Sequence, residues 1–143
     1  MDAATFNAVG SVTQRQLGTS TANLKVTQTN AFDDSGNLVK VTLPVDDTSS
    51  NDRVVDKAYD YRHRLIENKT VVEKDGTGTW TLFVRFEYDN RSLPTSVKTY
   101  HTSVAAGNLT GYRALTSDVL GRLYRMQTTG VDGSGNLGNT LTQ

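Results

Sequence analysis

The chain has 143 residues, with 15 basic and 15 acidic side chains, no net charge and no cysteine. That length suits one domain able to bury a core without covalent staples. The missing cysteines exclude disulfides and thiolate metal sites, and the charge balance argues against a uniformly basic nucleic-acid binder. No apolar run approaches the roughly 18 residues that cross a bilayer. The opening segment MDAATFNAVG has no basic start and no apolar stretch, so a chain retained where it is made is expected. The Asn-x-Ser/Thr triplets at Asn68, Asn90 and Asn108 then read as chance.

The first fifty residues are rich in Thr, Ser, Asn, Gln and Val. SVTQRQL, ANLKVTQT and LVKVTLPV alternate well enough to be short strands. FDDSGNL lies between the last two, and Asp33 to Asn37 form a strong hairpin signal. DDSGNL (33–38) returns as DGSGNL (132–137). Neither copy has the glutamate that closes an EF-hand loop, so turn chemistry is the better reading. PVDDTSSNDR (44–53) reads as a polar loop.

The most strand-like stretch follows, in AYDYRHRLIE, KTVVEK and TWTLFVRFEY. Lys74 to Gly78 make a hairpin loop, DNRSLP (89–94) another turn, and TSVKTYHTSV (95–104) a further strand. After Val104 the apolar positions 112, 115, 119, 120, 123, 124 and 126 fall at helical spacing. The pattern predicts a helix, with Thr116 or Ser117 as cap, Asp118 in the first turn and Gly130 at the end. A shorter helix is expected near 105–115. The fold class predicted is α+β: an N-terminal hairpin and strands (1–55), main sheet strands (56–104), a helical segment (105–130) and a polar tail (131–143).

Strand periodicity sorts the side chains into faces. Trp80, Leu82, Val84, Phe86 and Tyr88 form a core face. With YDYRHRL read as a strand, Arg62, Arg64, Arg85, Lys98 and Tyr100 share the opposite sheet surface with Thr81. Such a surface takes phosphates on its cations and bases on its rings. The plainer alternative is a solvated face whose cations pair with Glu67, Glu73 and Glu87. The chain has no nucleophile elbow, phosphate loop or dinucleotide fingerprint. Asp46, Asp47, Asp52 and Asp56 read as a solvated loop, and His63 and His101 as structural residues. No enzyme, metal or cofactor is expected.

The order of strands followed by an amphipathic segment resembles the coat proteins of single-stranded RNA bacteriophages, most closely over TWTLFVRFEY, SVKTYHTSV and TSDVLGRLYRM. The resemblance implies an interlocked homodimer with one continuous sheet, closing with other dimers into an icosahedral shell. The helices would pack over the partner's sheet through Tyr112, Leu115, Val119, Leu120, Leu123 and Tyr124. The inner sheet face would bind a hairpin of the genomic RNA through Arg62, Arg64, Thr81, Arg85, Lys98 and Tyr100. The location implied is the virion, with assembly in the host bacterial cytoplasm. The runner-up is a tailed-phage head or tail component forming rings or tubes without RNA. A small-ligand β-barrel is the third class considered.

Overall fold

A computed structural model of the chain describes residues 1–18, 25–44, 52–74, 78–102, 105 and 108–143, with side chains described outside 72–80. It is all-β. Its strands are β1 (Asp2–Phe6), β2 (Val12–Leu17), β3 (Lys25–Phe32), β4 (Leu38–Leu43), β5 (Arg53–Tyr59), β6 (Leu65–Lys74), β7 (Gly78–Tyr88), β8 (Pro94–His101), β9 (Leu109–Ser117), β10 (Leu123–Val131) and β11 (Leu137–Thr142). They form an 11-stranded sheet whose strand order follows chain order. The pairings described are antiparallel, as short hairpin connections require.

The chain divides into two compact units. The first comprises Met1–Lys57 and Thr70–Thr79, the second Ala58–Lys69 and Trp80–Gln143. In the first, Asn30 on β3 donates its side-chain amide to the Val12 carbonyl at 2.8 Å, and Asp2 on β1 pairs with Arg15 on β2 at 3.1 Å. In the second, β7, β8, β9 and β10 pair in succession, and Tyr88 on β7 donates its hydroxyl to the Leu65 carbonyl at 2.8 Å.

No apolar side chain among the described residues is fully withdrawn from solvent; only Ser96 and Thr129 are buried. Most strand residues are half-exposed instead. Their apolar stabilisation comes from partial burial of many side chains, added to the hydrogen-bonded ladders and cross-strand contacts.

The predicted α+β class is therefore corrected. Residues expected in a helix form the β9–β10 hairpin, with Arg113 opposite Thr128 and Leu115 opposite Met126. The reason lies at residues 118–122. Asp118 accepts backbone N–H groups from Leu120 and Arg122, both at 2.9 Å, and Gly121 has φ +83°. An acidic side chain caps a turn by the same chemistry that caps a helix. The left-handed glycine then turns the chain back on itself. Gly121 thus supplies a backbone conformation; it does not mark a close contact between helices.

Tyr112 and Leu115 lie on β9, Leu123 and Tyr124 on β10, and Val119 and Leu120 in the turn between them. Val119 is 90% exposed and Leu120 73%. None of the six packs as part of a helix, and the interlocked dimer loses the helices expected to interlock it. In the polar tail, residues 132–136 form a turn and β11 pairs with β10. The strands expected from the first half of the chain do form, as does the hairpin at 33–37. Most of the polar loop expected at 44–53 lies outside the described residues, as does the centre of the hairpin loop after Lys74.

Candidate functional site

One local structure recurs along the chain. At Asn7, Asp33, Asp60, Asp89, Asp118 and Asp132, the backbone N–H donates to the carbonyl four residues on. The N–H three residues on donates back to the Asx carbonyl. These twelve bonds are all 2.9–3.0 Å. Each Asx side chain closes the loop. Its Oδ1 accepts from the N–H groups two and four residues ahead: Val9 and Ser11, Ser35 and Asn37, Arg62 and Arg64, Arg91 and Leu93, Leu120 and Arg122, Ser134 and Asn136. The residue three after each Asx is left-handed: Gly10, Gly36, His63, Ser92, Gly121 and Gly135. A tight turn ending in a left-handed residue is a standard way to join antiparallel strands.

The first five turns begin at 7, 33, 60, 89 and 118, spaced 26, 27, 29 and 29 residues apart. Each joins an odd-numbered strand to the next even one, so a two-strand unit repeats. The sixth turn, at Asp132, comes only 14 residues later and joins β10 to β11.

Four of these aspartates have carboxyls held below the usual range. For Asp60 the main cause is a hydrogen bond from the Arg64 guanidinium. For Asp89 it is the Leu93 N–H, for Asp118 the Arg122 N–H, and for Asp132 the Asn136 side-chain amide. Within the second unit, arginines tie one turn to the next. Arg64 pairs with Asp60 at 2.6 Å and donates to the Asp89 carbonyl at 3.2 Å, with its guanidinium 4.7 Å from the Tyr88 ring centre. Arg62 donates to the Asn90 carbonyl at 2.9 Å, and Arg91 to the Asp118 carbonyl at 3.2 Å.

The six expected RNA contacts separate into two groups. Arg85 stands opposite Lys98 and Phe83 opposite Tyr100, so these side chains share one face of β7 and β8, as strand alternation predicts. Thr81 has the same parity on β7. Arg62 and Arg64 belong instead to the turn between β5 and β6, since YDYRHRL is mostly turn and not a strand. On the sheet face, Arg85 meets Glu67 at 3.2 Å, while Lys98 bonds Glu87, which also accepts the Ser96 hydroxyl at 2.6 Å. The Lys98 ammonium is consequently raised above its ordinary value by Glu87, and the Glu87 carboxyl is lowered chiefly by Lys98. Arg85 and Lys98 are thus each paired with a carboxylate within the sheet.

No protein-family model and no curated protein sequence matches the chain.

A shallow groove in the second unit is lined by Val84, Val97, Thr99, Gly111, Tyr112 and Thr129, among others. It gathers no acid–base pair. Among the described residues, no group of three or more His, Cys, Asp or Glu side chains is arranged to hold a metal ion. Sequence reasoning placed a turn at 89–94 but took Asp60 into a strand and Asp118 into a helix, although a signal for the turn at 60 was present. An aromatic, then an acid, then an apolar residue four or five positions on occurs at 59–65 and 88–93 as at 32–38. His63 and Ser92 replace the glycine that made the copies at 33 and 132 legible.

Proposed function

We propose that this chain is a structural module, a β-sheet framework built from a repeated two-strand unit, acting through its surface and edges without catalysis. The observation that carries this reading is the recurrence of one Asx turn geometry at five positions spaced 26 to 29 residues apart. Repeat architectures stack similar units, each contacting its neighbours, and offer extended surfaces in place of one enclosed site. One feature adds support: among the described residues, no apolar side chain is fully buried, which leaves no sealed interior for a ligand there.

The coat-protein resemblance drew on a terminal helix that the β9–β10 hairpin replaces, so it no longer has that support. What carries forward is its broader content, a non-enzymatic structural protein that associates with itself. The test is to purify the chain by size, image the largest species by negative-stain electron microscopy and record its ratio of absorbance at 260 to 280 nm. The framework reading expects a protein-only spectrum and sheet-based species without a nucleic-acid filling. Closed spheres whose nucleic-acid spectrum is lost to RNase after disruption would overturn it in favour of an RNA-packaging coat.

A further inference from the structure

We infer that the open groove on one face of β7 to β10 binds a small aromatic carboxylate, seated on a floor of Gly111 and Gly130 and held by Arg113. The inference gives the framework a ligand, and its observations stand independently of the repeated turn. The register places the parts. Val84 on β7 stands opposite Thr99 on β8, and Thr99 opposite Gly111 on β9. Arg113 stands opposite Val97 on β8 and Thr128 on β10. Tyr112 pairs with Thr129, so the next residues, Gly111 and Gly130, stand side by side. These positions share one sheet face and line one groove of about 470 Å³. Small-ligand sites span roughly 300–1,000 Å³.

The fold itself requires neither glycine. Neither has the left-handed φ of the turn glycines. A Cβ at Gly111 would lie 3.5 Å from Thr99, and one at Gly130 would lie 3.6 Å from the Asn139 carbonyl, both ordinary contacts. Glycine weakens a strand interior, and one without a backbone reason marks close approach of a ligand or another chain. Two glycines abreast leave a flat patch of peptide and Cα–H, bounded by the Val84 and Val97 side chains. A flat apolar ring covers such a floor without displacing any side chain.

Arg113 sets the ligand's charge. Arg64, Arg85, Arg91 and Arg122 each pair with a carboxylate of the second unit. Arg113 is exposed and makes no hydrogen bond or ion pair with the described residues. Its planar fork is the donor geometry that takes a carboxylate through two parallel bonds. The second unit also carries nine Lys and Arg against six Asp and Glu, which favours an anion over a cation there. Thr99 and Thr128 add hydroxyls on the same face.

The test titrates 2-naphthoate, with uncharged 2-naphthol as its counterpart, into the whole chain by calorimetry and by amide NMR. Naphthoate should bind saturably, with the shifted amides centred on Gly111, Arg113 and Gly130. Arg113→Gln should weaken naphthoate about tenfold and leave naphthol unchanged. Gly130→Ala raises the floor by one methyl group. It should weaken both probes while the unfolding midpoint stays equal or rises, because alanine restricts the unfolded chain. Absence of saturable naphthoate binding, or shifts centred elsewhere, would overturn the inference. So would equal weakening of both probes by Arg113→Gln. A Gly130→Ala chain with native affinity would show that the floor serves no ligand, and a lowered midpoint would give the glycine a structural reason instead. A native dimer that Gly130→Ala abolishes would assign the groove to a second copy and overturn the ligand.

Discussion

At the scale of single residues, the turns depend on one backbone conformation and one acceptor. Gly36 has φ +83° and a Cβ built there would meet nothing within 4 Å. Any loss in Gly36→Ala is therefore backbone strain, about 1 kcal/mol by thermal or urea unfolding. Gly133 is equally open but is not left-handed. Gly133→Ala should be neutral or stabilising by up to about 0.5 kcal/mol, because alanine restricts the unfolded chain. Equal losses at the two positions would remove the left-handed turn from the explanation. The carboxylates give a pH dependence of definite sign. Asp60, Asp89, Asp118 and Asp132 have lowered folded-state values, so the unfolded chain binds their protons first. Their contribution is present above the ordinary aspartate value of about 3.9 and is lost as pH falls through the lowered folded-state values. Unfolding midpoints in urea should drop with acidification below about pH 4. Asp118→Asn keeps an Oδ1 acceptor and should both retain more stability than Asp118→Ala and flatten part of that acid slope.

At the scale of elements, the sequence announced strands better than it announced their joints. The alternation of Trp80 to Tyr88 and the β-branched content of Lys25 to Leu43 were legible because a pleated strand imposes a period of two. The sharing of one face by Arg85, Lys98 and Tyr100 followed from the same period. Residues 109–131 misled because seven apolar positions fit a helical stripe, while the decisive signal was Asp118 followed three residues later by Gly121. A cap residue does not by itself distinguish a helix start from a turn; the left-handed glycine does. Tyr61, Arg62 and Arg64 of YDYRHRL misled in the opposite direction, as residues of a strand-like stretch placed in a turn. One consequence is measurable at Leu123. As a helix packing residue its change to Asp would destroy the fold, but at 56% exposed on β10 it has little to lose. Leu123→Asp should shift stability by about 0.5 kcal/mol or less in chemical unfolding. A loss of several kcal/mol would restore a buried role for that side chain.

At the scale of the whole molecule, the chain is organised by a repeated length. The repeat was half visible, because DDSGNL and DGSGNL share glycine and asparagine whereas the copies at 60 and 89 keep only the acid and its apolar neighbours. The turn needs an acceptor and a left-handed residue, and His63 and Ser92 supply the second without glycine. A repeat defined by backbone geometry is therefore wider than its sequence signature. This predicts that one unit can be removed whole. Deleting Asp89–Ser117 joins Tyr88 to Asp118, restores an aromatic–aspartate junction and takes out two strands, preserving the direction of those that follow. Circular dichroism and thermal unfolding of this shortened chain, beside one lacking only Asp89–His101, test the repeat most directly. The two-strand deletion should remain β-rich with a cooperative but lowered melting transition, since arrays lose stability unit by unit. The one-strand deletion reverses every later strand and should fail to fold. If the two-strand deletion also fails to fold, the chain is one indivisible sheet and the repeated turn does not organise it.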